Sequence, residues 1–298
     1  MTSKRESLAV AFIHNIIYER RLSTLTGISY TKDLRALLAH LRKENLDQVQ
    51  TQDIRLIIAQ LHGKGLSGRS LARMLSAWRS FYKYLIRENH CQHNPCVGIR
   101  VPKSAQKLPN VLSPDQAMQL LAFQPENILA ARDSAMFELF YSCGLRLAEL
   151  AQMKSENIYF SEGTVRVFGK GGKTRIVPVG DYAIDALKKW LDLRSNIAKP
   201  ETTTLFVSHR GDPISPRTIS HRLKNRGIKQ GIHQNVHPHI LRHSFASHVL
   251  QSSGDLRAVQ EMLGHAHITS TQVYTHLDFQ HLTKVYDQAH PRAKKRNE

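Results

Sequence analysis

Residues 164–179 read Thr-Val-Arg-Val-Phe-Gly-Lys-Gly-Gly-Lys-Thr-Arg-Ile-Val-Pro-Val. Thr164–Phe168 and Thr174–Val179 alternate as strands do, and the turn Gly169-Lys170-Gly171-Gly172-Lys173 joins them into a hairpin. A turn ending in Gly172-Lys173-Thr174 invites a phosphate-loop reading, which its neighbours exclude. That loop needs Gly at position 167, which is Val167, and a helix after the lysine, where Arg175-Ile176-Val177-Pro178-Val179 is strand-like. Gly169-Lys170-Gly171 does not complete a dinucleotide fingerprint either, because position 174 is Thr. The hairpin is expected to present Lys170, Lys173 and Arg175, and no nucleotide cofactor is expected.

This is the one clear β signal in a chain that otherwise reads as helix, which predicts a mainly α fold with a small β-sheet (α+β). In Ser67–Glu88, Leu71, Met74, Leu75, Trp78, Phe81, Tyr82, Leu85 and Ile86 recur at steps of three and four. Arg69, Arg73, Arg79, Lys83 and Arg87 fall on the opposite arc, with no acid on the helix before Glu88. Unopposed positives on one stripe repel one another unless phosphates neutralise them, so this face is a candidate DNA contact. Weaker amphipathic segments at Leu8–Arg20, Lys32–Lys43 and Thr51–His62 complete an expected four-helix domain over residues 1–93.

Residues 94–113 read as a basic linker. Pro95, Pro102 and Pro109 break helices and favour extended chain, and Arg100, Lys103 and Lys107 keep it cationic. Residues 114–298 form the second expected domain. Ser113–Leu121 and Ile128–Tyr141 look helical, and Ser215-Pro216 resembles an N-cap followed by proline at the first helical position. The helix it opens carries Arg217, Arg222, Lys224, Arg226 and Lys229, a second basic stripe. From His239 onward the chain reads as helix punctuated by Gly254 and Gly264.

Composition agrees with a DNA-binding protein. The 298 residues hold 42 Lys+Arg against 24 Asp+Glu, a formal charge of +18 with His neutral, which points to a polyanionic partner. Residues 1–110 hold 18 of those cations and 7 of the acids, so charge is densest in the first third. Apolar residues at 41% suffice for a packed core, which excludes wholesale disorder. The longest apolar run, Leu8–Ile13, is far short of the ~20 residues of a membrane span. No secretory signal is visible near Met1, so a cytoplasmic location is expected. Cys91, Cys96 and Cys143 have neither metal-ligand nor disulfide spacing and read as reduced thiols. His239 and His243 share a helix face but lack the Glu of a zinc hydrolase, so no metal site is expected.

The chemistry-bearing residues are distributed. Gly144-Leu145-Arg146-Leu147-Ala148-Glu149-Leu150 places an arginine just after a glycine turn, with Glu149 one helical turn later to orient it. The lysine-bearing hairpin follows, then His239-Ile240-Leu241-Arg242-His243, then Leu263-Gly264-His265, and nine residues on stands Tyr274. Singly each has a dull explanation. Together they form a set suited to attack on a phosphodiester.

The order Arg146, Lys170, His239-x-x-Arg242, His265, Tyr274 resembles the tyrosine recombinase (phage integrase) family, over nearly the whole chain. Ser253–His265 is similar to the bacterial Xer group within it. The tail from His276 to His281 and from Ala289 to Lys294 resembles the Xer recombinase that works with a XerD-like partner. Ile240 and Ser270 stand where the family pattern has Lys and Thr, flanking the catalytic positions without replacing them.

The resemblance implies a site-specific recombinase that cleaves and rejoins DNA through a 3′-phosphotyrosine. Its implied catalytic set is Arg146, Lys170, His239, Arg242, His265 and Tyr274, with neither metal nor cofactor. It further implies a double-stranded DNA recombination site, a heterotetramer with a XerD-like recombinase, resolution of chromosome or plasmid dimers, and regulation by a septal DNA translocase. The helix around Leu282–Ala289 resembles an oligomerisation segment. Two rival readings are a DNA-binding architectural or regulatory protein without chemistry and a type IB-like topoisomerase. The first leaves the Arg–Lys–His–Arg–His–Tyr series unexplained. The second shares the chemistry but exchanges no strands.

Overall fold

The computed structural model describes residues 3–102, 111–169, 174–264 and 276–294, with only the backbone for 276–279. It divides into a unit over Met1–Lys107 and a unit over Leu108–Glu298.

The first unit is helical. It contains α1 (Lys4–His14), which runs on into a π-helical turn at Asn15–Glu19, α2 (Thr24–His40), α3 (Thr51–Gly63) and α4 (Gly68–Arg87). Leu46–Gln48 forms a short 3₁₀ turn before α3. The capping residues explain the starts: Ser3, Ser23 and Ser67 each accept a backbone N–H from the first turn of the helix they open. The expected helix at Lys32–Lys43 therefore begins eight residues earlier, at the Ser23 cap. Its first half shows no apolar stripe in sequence because Leu25 and Ile28 face solvent. The core gathers Phe12, Ile16, Leu34, Leu37, Ile54, Ile57, Leu71, Trp78, Phe81, Tyr82 and Leu85, and the Trp78 indole donates to the Asp33 carbonyl at 2.8 Å.

The second unit packs helices around a small sheet. Its elements are α5 (Pro114–Leu121), α6 (Ile128–Cys143), α7 (Leu147–Ala151), β1 (Ile158–Tyr159), β2 (Thr164–Phe168), β3 (Thr174–Pro178), α8 (Asp181–Arg194), α9 (Pro216–Lys229), α10 (Pro238–Ser253), α11 (Leu256–Leu263) and α12 (His276–Ala289). The three strands are antiparallel in sequence order, and β2 and β3 pair Val165 with Val177 and Val167 with Arg175. Helix α6 is buried on every side from Ala131 to Cys143 and forms the spine of the unit. Helix α12 docks on the same unit, burying Leu282, Tyr286 and Ala289, and the chain beyond it buries His290 and Arg292. All three cysteines are buried and free. No described helix is long and apolar enough to cross a membrane.

Candidate active site

The site grows from the end of α6. Gly144 terminates that helix with φ +55°, and a Cβ there would stand 2.4 Å from the Phe245 ring, so only glycine fits the turn. The chain leaves with Arg146 as the N-cap of α7. Glu149, at the third position of that helix, accepts the Arg146 backbone N–H at 2.8 Å and its Nη1 at 2.8 Å. The expected orientation of Arg146 by Glu149 is thus found.

Arg242 reaches the same place from α10, which opens with Pro238 after His237. Its side chain is 8% exposed; Nη1 donates to the Gly144 carbonyl at 2.5 Å and Nη2 to the Leu263 carbonyl at 2.7 Å. Burial, together with the charges of Arg146 and Arg175, pushes its guanidinium down to about 10, still protonated at neutral pH.

Arg175 joins the same cluster through Glu149, against expectation. The hairpin was expected to present it, but it is 5% exposed and faces inward with Val167 and Val177. It donates Nη1 and Nη2 to the two oxygens of Glu149, at 2.9 and 2.8 Å, and Nε to the Met262 carbonyl at 2.8 Å. The reason is parity: side chains two apart on a strand share a face, and Val177 is core. That parity was a signal in the sequence. Burial works against ionising Glu149, yet the hydrogen bonds and charge of Arg175 and the bonds from Arg146 hold its carboxyl at about 2.

Three guanidiniums therefore converge on the carboxyl end of α11. Arg175 takes the carbonyl of Met262, Arg242 that of Leu263 and Arg146 that of Gly264, at 3.4 Å for the last. The last carbonyls of a helix lack internal partners and carry negative partial charge, so they attract cations. Gly264 closes the helix at φ +65°. The result is a concentration of fixed positive charge immediately before position 265.

His239 lies in the first turn of α10, exposed, with its ring 6.2 Å from that of His237. Lys170, His265 and Tyr274 lie outside the described residues, as does Lys173. Among the described residues no group of three His, Cys, Asp or Glu is placed to hold a metal ion. Cys143 is no nucleophile, because burial pushes its thiol up to about 12.

The two basic stripes are less free than the sequence suggests. On α4, Arg73 pairs with Asp33 of α2, and Arg79 donates to the carbonyls of Cys96 and Ile99 at 3.0 and 2.7 Å. Arg87 pairs with Glu88 at 2.9 Å and Lys83 is exposed. The opposing acid for Arg73 comes from another helix, which a reading of α4 alone misses. On α9, Arg217 is exposed, Arg222 pairs with the buried Asp133, and Arg226 lies over the Phe123 ring at 4.1 Å.

The chain resembles known proteins over nearly its whole length. The model of the phage integrase family matches residues 110–281, and that of the phage integrase N-terminal SAM-like domain matches residues 9–89. The chain is 50% identical over 290 residues to the tyrosine recombinase XerC of Pseudomonas aeruginosa, covering 96% of this chain and 95% of that protein. It is 49% identical to the tyrosine recombinase XerC of Azotobacter vinelandii, covering 97% of each. Among solved structures, XerH site-specific recombinase bound to its palindromic difH substrate superposes with a TM-score of 0.71 at 24% identity, covering 90% of this chain and 81% of that one.

Proposed function

Since the chain belongs to the phage integrase family and is a site-specific tyrosine recombinase that acts on double-stranded DNA, we propose that Arg146 and Arg242 grip the scissile phosphate while Tyr274 attacks it. A phosphodiester repels nucleophiles because its nonbridging oxygens share a negative charge that grows in the transition state. Two planar, permanently charged forks are suited to those oxygens. The observation that supports this role is their convergence, with Glu149 orienting one and burial fixing the other.

In this scheme the Tyr274 oxygen bonds to phosphorus, and the bond from phosphorus to the 5′-oxygen breaks. His239 takes the phenolic proton, Lys170 gives one to the departing oxygen, and His265 adds a hydrogen bond to the phosphoryl group. The phosphotyrosine conserves the energy of the broken bond, so a 5′-hydroxyl from a second duplex can reseal it without ATP. No step uses a metal ion, and adduct formation is expected to persist in excess chelator; loss restored by one divalent ion contradicts the scheme.

The exposed cations of α4 and α9, with Lys83 and Arg217 foremost, would contact the DNA backbone. The reading extends to a XerD-like second recombinase in a heterotetramer, to resolution of chromosome or plasmid dimers, and to a cytoplasmic location. The septal DNA translocase has no support beyond the resemblance. Supercoil relaxation measured beside recombination between two sites tests the function: strand exchange is expected, whereas relaxation alone indicates a topoisomerase and neither indicates a binding protein.

A further inference from the structure

We infer that Arg175 is a positioning residue for cleavage: it sets Glu149, and through it Arg146, while fixing the carboxyl end of α11 that leads into His265. The inference rests on the reading of Arg146 as a phosphate clamp. Three observations carry it. The guanidinium of Arg175 spends Nε, Nη1 and Nη2 on Met262 and the two Glu149 oxygens, in the two-pronged geometry that only arginine offers. Glu149 in turn holds both the backbone and the guanidinium of Arg146. Gly264 packs against the Arg175 side chain so closely that a Cβ there would lie 3.0 Å from its Cδ.

A direct role on substrate does not fit. Arg175 is buried, and gripping a phosphate would mean abandoning Glu149, whose ionised carboxyl would then keep only Arg146. Its position on β3, one residue into the strand that follows the lysine-bearing turn, ties hairpin, α7 and α11 together at one side chain. Displacements of about 1 Å at a reacting centre cost roughly 10² in rate, so a residue that fixes all three has large leverage without touching DNA.

The test is a double-mutant cycle on the full chain. The substrate is a nicked duplex carrying a site that the wild-type protein itself selects from a random-sequence library, and the readout is the rate of covalent adduct formation. Arg175→Met is expected to slow the wild type about 10²-fold. In an Arg146→Ala background, where the guanidinium that Glu149 aims is gone and only the hold on α11 remains, the same change is expected to cost about tenfold or less. Arg175→Lys, which keeps the charge but loses the fork, should recover part of the rate. Equal losses in both backgrounds would reduce Arg175 to a general packing role and overturn the inference, as would an unchanged rate in Arg175→Met. A normal rate in Arg146→Ala alone would instead overturn the clamp reading and this inference with it. Should Arg175→Met melt below the assay temperature, Arg175→Lys completes the same cycle.

Discussion

Glu149 grips Arg146 twice, its Oε2 accepting the arginine's backbone N–H at 2.8 Å and its Oε1 accepting the guanidinium at 2.8 Å. One carboxylate thus caps the short helix α7 and aims the side chain at its start. With Arg175 also bound, the carboxyl is held at about 2, below its ordinary 4.5. A folded-state value below the unfolded one contributes stability that is present above pH 4.5 and lost as pH falls toward 2. The full contribution is on the order of 3 kcal/mol. Burial raises Glu138, which shifts stability in the opposite sense, so the useful quantity is a difference. The stability gap between wild type and Glu149→Gln, measured by urea unfolding, is expected to be wide at pH 6 and to narrow at pH 3. A gap that does not change with pH would contradict the ionised clasp.

The basic residues of α4 divide into two kinds. Lys83 is exposed and is expected to bind phosphate: Lys83→Gln should leave the fold intact and lower the salt slope of DNA affinity by up to roughly 0.9 log units. Arg79 is tied to the carbonyls of Cys96 and Ile99, so Arg79→Gln should lower thermal stability instead. Arg73→Gln leaves the buried Asp33 without its partner and should cost about 1–2 kcal/mol. Filter binding across a salt series, beside thermal melts, separates the classes. An unchanged slope in Lys83→Gln would return that lysine to plain surface.

Lys170 is expected to protonate the leaving 5′-oxygen. An alkoxide leaves poorly, since the pKa of its conjugate acid is near that of water at about 15.7, whereas a thiolate with a conjugate acid near ~8.5 leaves readily. Lys170→Ala should lose about 10²–10⁴ in cleavage rate on normal DNA. Sulfur in place of the bridging 5′-oxygen should restore most of it, and should not rescue Arg146→Ala, whose defect concerns the nonbridging oxygens. Rescue of Lys173→Ala but not of Lys170→Ala would move the role to the other lysine.

The boundary helices, the hairpin and the glycine stops at Gly254 and Gly264 were legible because each has a local signal: a cap, a period or a turn residue. Helix α6 shows no periodicity because it is buried all round, so its local signals are the Asn127 cap and the Gly144 stop at its two ends. Helix α8 keeps helical spacing at Ala183, Leu187 and Trp190, but it opens at Gly180 with no side-chain cap and so lacks a local start signal. In the site, Arg146, Glu149 and Arg242 were legible as a set because motif spacing marks them. The clasp made by Arg175 was not: strand parity turns that side chain inward, but its partner Glu149 stands 26 residues away in sequence. The pairing of Arg73 with Asp33, 40 residues apart, was hidden for the same reason.

The central claim is that one phenol, that of Tyr274, becomes joined to DNA. Two other tyrosines of the same unit serve as controls. Tyr141 is bonded to His248 at 2.7 Å and Tyr286 to Ser142 at 2.6 Å, and burial pushes both phenols above their usual range. Tyr141→Phe and Tyr286→Phe should each lose about 1 kcal/mol of stability and still form the adduct. The decisive measurement incubates each variant with nicked site DNA, denatures the mixture and maps the tyrosine that carries the nucleotide. The account predicts a denaturant-resistant adduct on Tyr274 in the wild type and in both control variants, and none in Tyr274→Phe that still binds the site. An adduct of normal yield in Tyr274→Phe would contradict it.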